Sequence, residues 1–247
     1  MATKPKNPSP AALPYFRPEA LAFLRNLAKN NDREWFQPRK AEFDAELKEP
    51  MLAVVRKVTE AMLDFAPEHV RPAEKSLFRI YRDTRFSANK APYKTHIAAW
   101  WVRQGMEKTS GAGFYLQVDA KEVIIAAGAW MPEKEQLAQI RHWLVNNHER
   151  FRELLRKPAL QKAFSEFEGN PLVRAPKGFD PEHPAMDLIR CRQWGLSASL
   201  PAKTALDPKF AVAVIRQFKL AAPVVYALNE PLAAAQEPKK RVLFGLR

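Results

Sequence analysis

The apolar residues of this chain change their period partway along, and that change limits the fold more than any other feature. Phe43, Leu47, Met51, Val54, Val58, Met62 and Phe65 recur at intervals of 4, 4, 3, 4, 4 and 3, which places them on one face of a helix. Between Phe78 and Trp130 the interval falls to two. Phe114, Leu116 and Val118 alternate with Tyr115, Gln117 and Asp119, and residues 123–127 follow a turn at Ala120-Lys121. Such alternation buries one side of a strand. Residues 97–103 are aromatic and β-branched enough for another. Strands joined by short connections pair antiparallel, because parallel pairing needs a long crossover. Helices before and after them predict an α+β fold, mainly an antiparallel sheet with helices packed on one face.

Local signals divide the rest. Pro18 opens an amphipathic helix with Leu21, Leu24, Leu27 and Ala28 on one side, and Asn30-Asn31-Asp32 stops it. Trp35-Phe36 follows as a hydrophobic anchor. Pro50 lies inside the helical period and predicts a kink or a division. Residues 78–86 read as a further strand, and 105–113, with three of the eight glycines, as a mobile loop. Helices are expected over 132–156 and, more briefly, 158–167, then one or two strands in 188–200. Asp207-Pro208 is a cap pair for a helix carrying Phe210, Val214 and Phe218, and Pro223 is expected to start a last one. Residues 1–13 read as a disordered tail, 14–234 as a single α+β domain, and 235–247 as a basic C-terminal tail.

A length of 247 residues is ample for a hydrophobic core. The net charge of +13 and pI near 9.9 direct attention to anionic partners, small or polymeric. The single cysteine, Cys191, excludes an intramolecular disulfide framework and fits a reducing compartment. The first residues lack an apolar signal-like core, and no run of about 18 apolar residues stands out. The expectation is a cytoplasmic protein with no membrane span.

The chemistry concentrates between residues 79 and 94. Arg79, Arg82, Arg85, Lys90 and Lys94 are accompanied by one acid, Asp83, and by Tyr81 and Tyr93. Five cations this close repel one another unless an anion, an acid or water compensates them. On a strand, Asp83 shares a face with Arg79 and Arg85 and can pair with one, leaving a guanidinium fork for carboxylate or phosphate oxygens. Lys90 and Lys94 can close on the same anion from a loop fixed by Pro92, with Tyr93 as a neutral donor. A buried ion-pair network with no ligand accounts for the same residues.

The pattern Arg79-x-x-Arg82-Asp83-x-Arg85-Phe86-x-x-Asn89-Lys90-x-x-Tyr93 resembles the signature of a bacterial and fungal family of conserved hypothetical proteins, domain of unknown function two-four-six-one. Asn30-Asn31 with Trp35-Phe36, Gly128-Ala-Trp130-Met-Pro132, Pro176-Lys177-Gly178 and His183-Pro-Ala-Met-Asp187-Leu resemble other segments of it. The likeness runs over roughly residues 15 to 232 and implies a site and a domain extent, without a reaction.

The leading expectation is a cationic pocket for a phosphate- or carboxylate-bearing small ligand, held by Arg79, Arg82, Arg85, Lys90 and Lys94, with Asp83 and Tyr93 in support. Secondary candidates are Trp130 as a pocket wall, Lys177, and the cluster His183, Asp187 and Arg190. Two other functions stay open beside the ion-pair network: a nucleic-acid-binding module, and a metal-independent phosphoester hydrolase with Asp83 or His183 as base. Neither metal-ligand spacing nor a glycine-rich phosphate loop occurs, so no cofactor is expected.

Overall fold

The computed structural model describes residues 13–106 and 111–236. The expected terminal tails and the middle of the 105–113 loop lie outside these residues, apart from positions 13, 235 and 236. Helix α1 (Pro18–Lys29) buries Ala20, Leu21, Phe23, Leu24 and Leu27. Asp32 then caps the single turn α2 (Arg33–Phe36), accepting the Trp35 N–H at 2.7 Å. The chain continues through a 3₁₀ turn (Gln37–Arg39), α3 (Lys40–Phe43) and a wide π-type turn (Asp44–Lys48) into α4 (Glu49–Met62). The wide turn stands directly before Pro50. Proline has no N–H for a preceding carbonyl, and a widened turn takes up the missing bond without breaking the helix. The predicted kink is therefore a change of helix type, and Phe43, Leu47, Met51, Val54, Val58 and Met62 all stay buried.

After the single turn α5 (Ala73–Ser76) come β1 (His96–Val102), β2 (Gly113–Asp119) and β3 (Glu122–Ala129). The rest follows as α6 (Lys134–Leu155), α7 (Pro158–Ala163), β4 (Glu166–Glu168), α8 (Met186–Ile189), β5 (Trp194–Pro201) and α9 (Phe210–Gln236). The sheet runs β1-β2-β3-β5-β4, antiparallel throughout. Its inner side presents Ile97, Ala99 and Trp101, then Phe114, Leu116 and Val118, then Val123, Ile125 and Ala127, then Trp194, Leu196 and Ala198, all buried. Helix α9 packs on β2 and β3, flanked by α4 and α6. Its Phe218 ring sits 5.3 Å from Trp101 and 5.1 Å from Phe114. One hydrophobic core joins residues from Phe16 to Leu232. The α+β architecture with helices on one face is as the periods predict.

Three local expectations are corrected. Residues 78–86 are not a strand: only Leu77 and Tyr81 make isolated bridges, to Ala99 and Tyr93, and the chain then leaves the sheet. The helix from Pro158 stops at Ala163, because residues 166–168 pair with β5. Within 188–200, read as one or two strands, one forms, preceded by the turn α8. Pro223 does not open a new helix; it lies exposed inside α9, whose buried side carries Val214, Phe218, Ala221, Val225 and Leu228. Packing along that side holds the axis through the lost hydrogen bond. The same helix has the length and mean hydropathy of a membrane span, reaching 1.4 over Phe210–Ala233. Half of that stretch is buried within the fold.

His69 ties the core to pH. It is fully buried, its Nδ1 lies 3.0 Å from the Trp101 carbonyl oxygen, and its ring meets Phe114 edge-on. Burial pushes its pKa below the usual 6.5, and the Glu68 carboxylate, 3.5 Å from Nε2, opposes that shift without reversing it. The unfolded chain takes up this proton more readily, so stability falls as pH drops below about 6.5 toward the folded value. Thermal midpoints measured from pH 8 to pH 5 are expected to decline, less steeply in His69→Gln.

Candidate functional site

The basic segment folds as a loop closed at its base. The Arg82 N–H donates to Pro92 O at 2.9 Å and the Lys94 N–H to Ile80 O at 2.8 Å, on either side of the Tyr81–Tyr93 bridge. Asn31 clamps that base from the end of α1: its Nδ2 donates to Tyr93 O and its Oδ1 accepts the Tyr93 N–H, both at 3.0 Å. The Tyr93 ring stacks on Phe36 with centroids 4.1 Å apart, so the anchor read from Trp35-Phe36 holds this loop against the helices. At the tip, Asn89 Oδ1 accepts the Ala91 N–H at 2.9 Å and Lys90 Nζ donates to Thr84 O at 3.0 Å. Arg82 crosses the loop, Nη1 donating to Ala91 O at 3.2 Å and Nη2 to Ser87 Oγ at 3.4 Å.

The five cations are thereby divided. Asp83 accepts Arg85 Nε and Nη2 at 3.0 and 2.7 Å, and these bonds hold its carboxyl down at about 2. Both side chains are exposed, and such a pair adds little to stability. Arg79 borders a hollow of about 350 Å³ lined by Phe36, Phe43 and Leu52, where Lys40 pairs with Asp44 and the border residue Glu74 pairs with Arg56. Arg82, Tyr93 and Lys94 border a different one, of about 370 Å³, together with Asn31, Asn89, Thr95 and His96. Without a ladder, the alternation that would have put Arg79 beside Arg85 has no structural expression.

Among the described residues this second hollow has no carboxylate in its lining. The Lys94 ammonium lies 4.8 Å from the Phe78 ring centroid. His96 opens β1 half-buried; burial first and Lys94 second push its pKa down, and Asp119 opposes them. The Tyr93 hydroxyl is buried without a hydrogen-bond partner among the described residues. An ammonium, a guanidinium with N–H groups to spare, a neutral imidazole and an unmatched hydroxyl can together surround a small anion.

The model of a conserved hypothetical protein family, DUF2461, matches residues 19–226, a stretch that takes in this loop and all five strands. The chain belongs to that family. No curated protein and no solved structure matches it.

In this DUF2461 member the secondary candidates stand apart from the basic loop. Asp187 accepts Arg152 Nη2 and Nη1 at 2.7 and 3.1 Å, and His183 Nδ1 accepts the Ala185 N–H at 3.1 Å. Asp187 thereby ties α8 to α6, and His183 closes the turn before α8. Arg190 Nη1 reaches Val173 O at 3.4 Å, and Lys177 is exposed in the loop beside Gly178. Cys191 is buried, which raises its thiol to about 11. Trp130 does line a cavity, on the outer side of the sheet. The sequence reading missed His96, a lone histidine at a strand start, and a further hollow of about 270 Å³ bordered by Arg71, Lys75 and Arg103. Only overall charge pointed to the latter. Among the described residues no three His, Cys, Asp or Glu side chains converge as metal ligands would.

Proposed function

We propose that this protein binds a small ligand through a phosphate or carboxylate group held between Arg82, Tyr93, Lys94 and His96. The observation that carries this reading is a hollow of about 370 Å³ whose described lining holds three basic side chains and no acid. Arg82 is pre-set by its bonds to Ala91 and Ser87, so little freedom is lost when an anion meets its remaining N–H groups. Lys94 supplies a point charge and Tyr93 a donor whose bond is otherwise unmade. Arg85, neutralised by Asp83, and Lys90, engaged by Thr84, shape the loop and leave the anion to the other cations.

Isothermal titration with inorganic phosphate tests this. Lys94→Gln is expected to lower affinity about tenfold, the worth of one charge-assisted hydrogen bond, and Arg85→Ala to leave it unchanged. Arg103→Ala serves as the control for the other basic hollow. A loss with Arg103→Ala and none with Lys94→Gln would place the anion there and refute this reading. A bound anion favours the protonated imidazole, so affinity should rise as pH falls through the range where His96 titrates, below its usual 6.5. That rise should vanish in His96→Gln.

A further inference from the structure

The outer side of the sheet carries an aromatic hollow that the basic loop does not explain. Trp100, Tyr115, Ala126 and Ser197 stand in one row across β1, β2, β3 and β5. In the adjoining row Gly113, Gly128 and Gly195 lie side by side. Those glycines form a shelf for indoles. A Cβ at Gly195 would fall 2.3 to 2.6 Å from three atoms of the Trp130 six-membered ring, and one at Gly113 2.9 Å from Trp100. An indole seated on bare backbone has only its opposite face and its edge to offer a guest. The space above the shelf measures about 370 Å³, and Phe78, Ile124, Met131 and Glu168 complete its border. Met131 stands at the lip, 81% exposed and with a positive φ of 45°.

A carboxylate stands at the border of this hollow. In a chain of net charge +13 the one charged residue among the described residues of its border is Glu168, which makes no ion pair among them. The Trp100 Nε1–H is buried and lacks an acceptor, at a cost that a bound oxygen would relieve. Tyr115 is already committed, its hydroxyl donating to Gln117 Oε1 at 2.7 Å. Lys94 holds one position over the Phe78 ring, which leaves Trp100, Tyr115 and Trp130 as the open π surfaces. Aromatic faces with a nearby carboxylate select a weakly hydrated cation over a neutral group of the same shape.

We propose that this hollow is a second ligand site, taking a small molecule with an alkylated ammonium head and an oxygen acceptor on a short arm. The head lies among Trp100, Tyr115 and Trp130 beside Glu168, and the oxygen meets Trp100 Nε1. The probe is choline, compared with the uncharged alcohol in which carbon replaces its nitrogen. Binding is read by tryptophan fluorescence and calorimetry on the full chain. Choline is expected to bind roughly tenfold tighter than the alcohol, and half-buried Glu168, as Glu168→Gln, to remove most of that preference without unfolding the protein. Lys94→Gln is expected to leave choline binding intact or tighten it, which separates this site from the anion hollow. Equal binding of the two probes, no binding of either, or an undiminished preference in Glu168→Gln would overturn the proposal.

Discussion

Replacing Gly128 with alanine is expected to lower the thermal midpoint by about 6–16 °C. Gly128 has φ +133°, a conformation that side-chain-bearing residues rarely adopt, and an added Cβ would lie 2.1 Å from the Trp194 carbonyl oxygen. Backbone cannot swing aside as the end of a side chain can. Strain and displacement together should cost about 3–4 kcal/mol, and for a chain of this size each kcal/mol shifts the midpoint by about 2–4 °C. Gly178 is the matched control: its φ is +91°, yet a methyl group added there would meet nothing within 4 Å. Gly178→Ala should therefore cost only the backbone term, about 1–2 kcal/mol. Thermal and urea denaturation of both variants would test this, and equal losses would mean that the contact with β5 is not what demands glycine.

The second large effect is expected from Asn31→Ala. It strips partners from both the N–H and the C=O of Tyr93, a residue only 1% exposed. Each unmade bond costs about 1–3 kcal/mol, so a total of about 2–6 kcal/mol is expected, concentrated where the basic loop joins α1. The amides of Arg82 and Lys94, bonded to Pro92 and Ile80 across that base, should then exchange hydrogen much faster, while those of β2 and β3 change little. Asn31→Asp keeps an acceptor and loses a donor, and should fall between. Unchanged protection at Arg82 and Lys94 would show that stacking on Phe36 holds the loop without the amide clamp.

These two sites also mark how far sequence could lead. The helical face of residues 43–62 and the alternation in β2 and β3 are local, and the fold honours them. Residues 78–86 alternate as well, but a strand needs a partner, and the edge of β1 accepts only the stretch around Leu77 and Phe78 before the chain turns away. The mutual bond of Asp83 and Arg85 was legible because the two are neighbours. The bond between Asn31 and Tyr93 was not, because 62 residues separate them. Arg82 and Tyr93 were marked by the motif and Lys94 by the basic run, yet their separation from Arg79 depended on how the loop closed. The glycine shelf is less legible still. Gly113, Gly128 and Gly195 become neighbours only through the registers of two strand pairs, which no single segment encodes.

The rims of the sheet carry a consequence for behaviour at high concentration. An open rim with free N–H and C=O groups is a template on which a second chain can add by intermolecular pairing. Here one rim is β4, three residues long, and the other is β1, where the Phe78 N–H already donates to Ala98 O at 2.9 Å. Neither leaves a long, flat run for a newcomer, so fibril-like growth should demand that the segment around Leu77 first peel off.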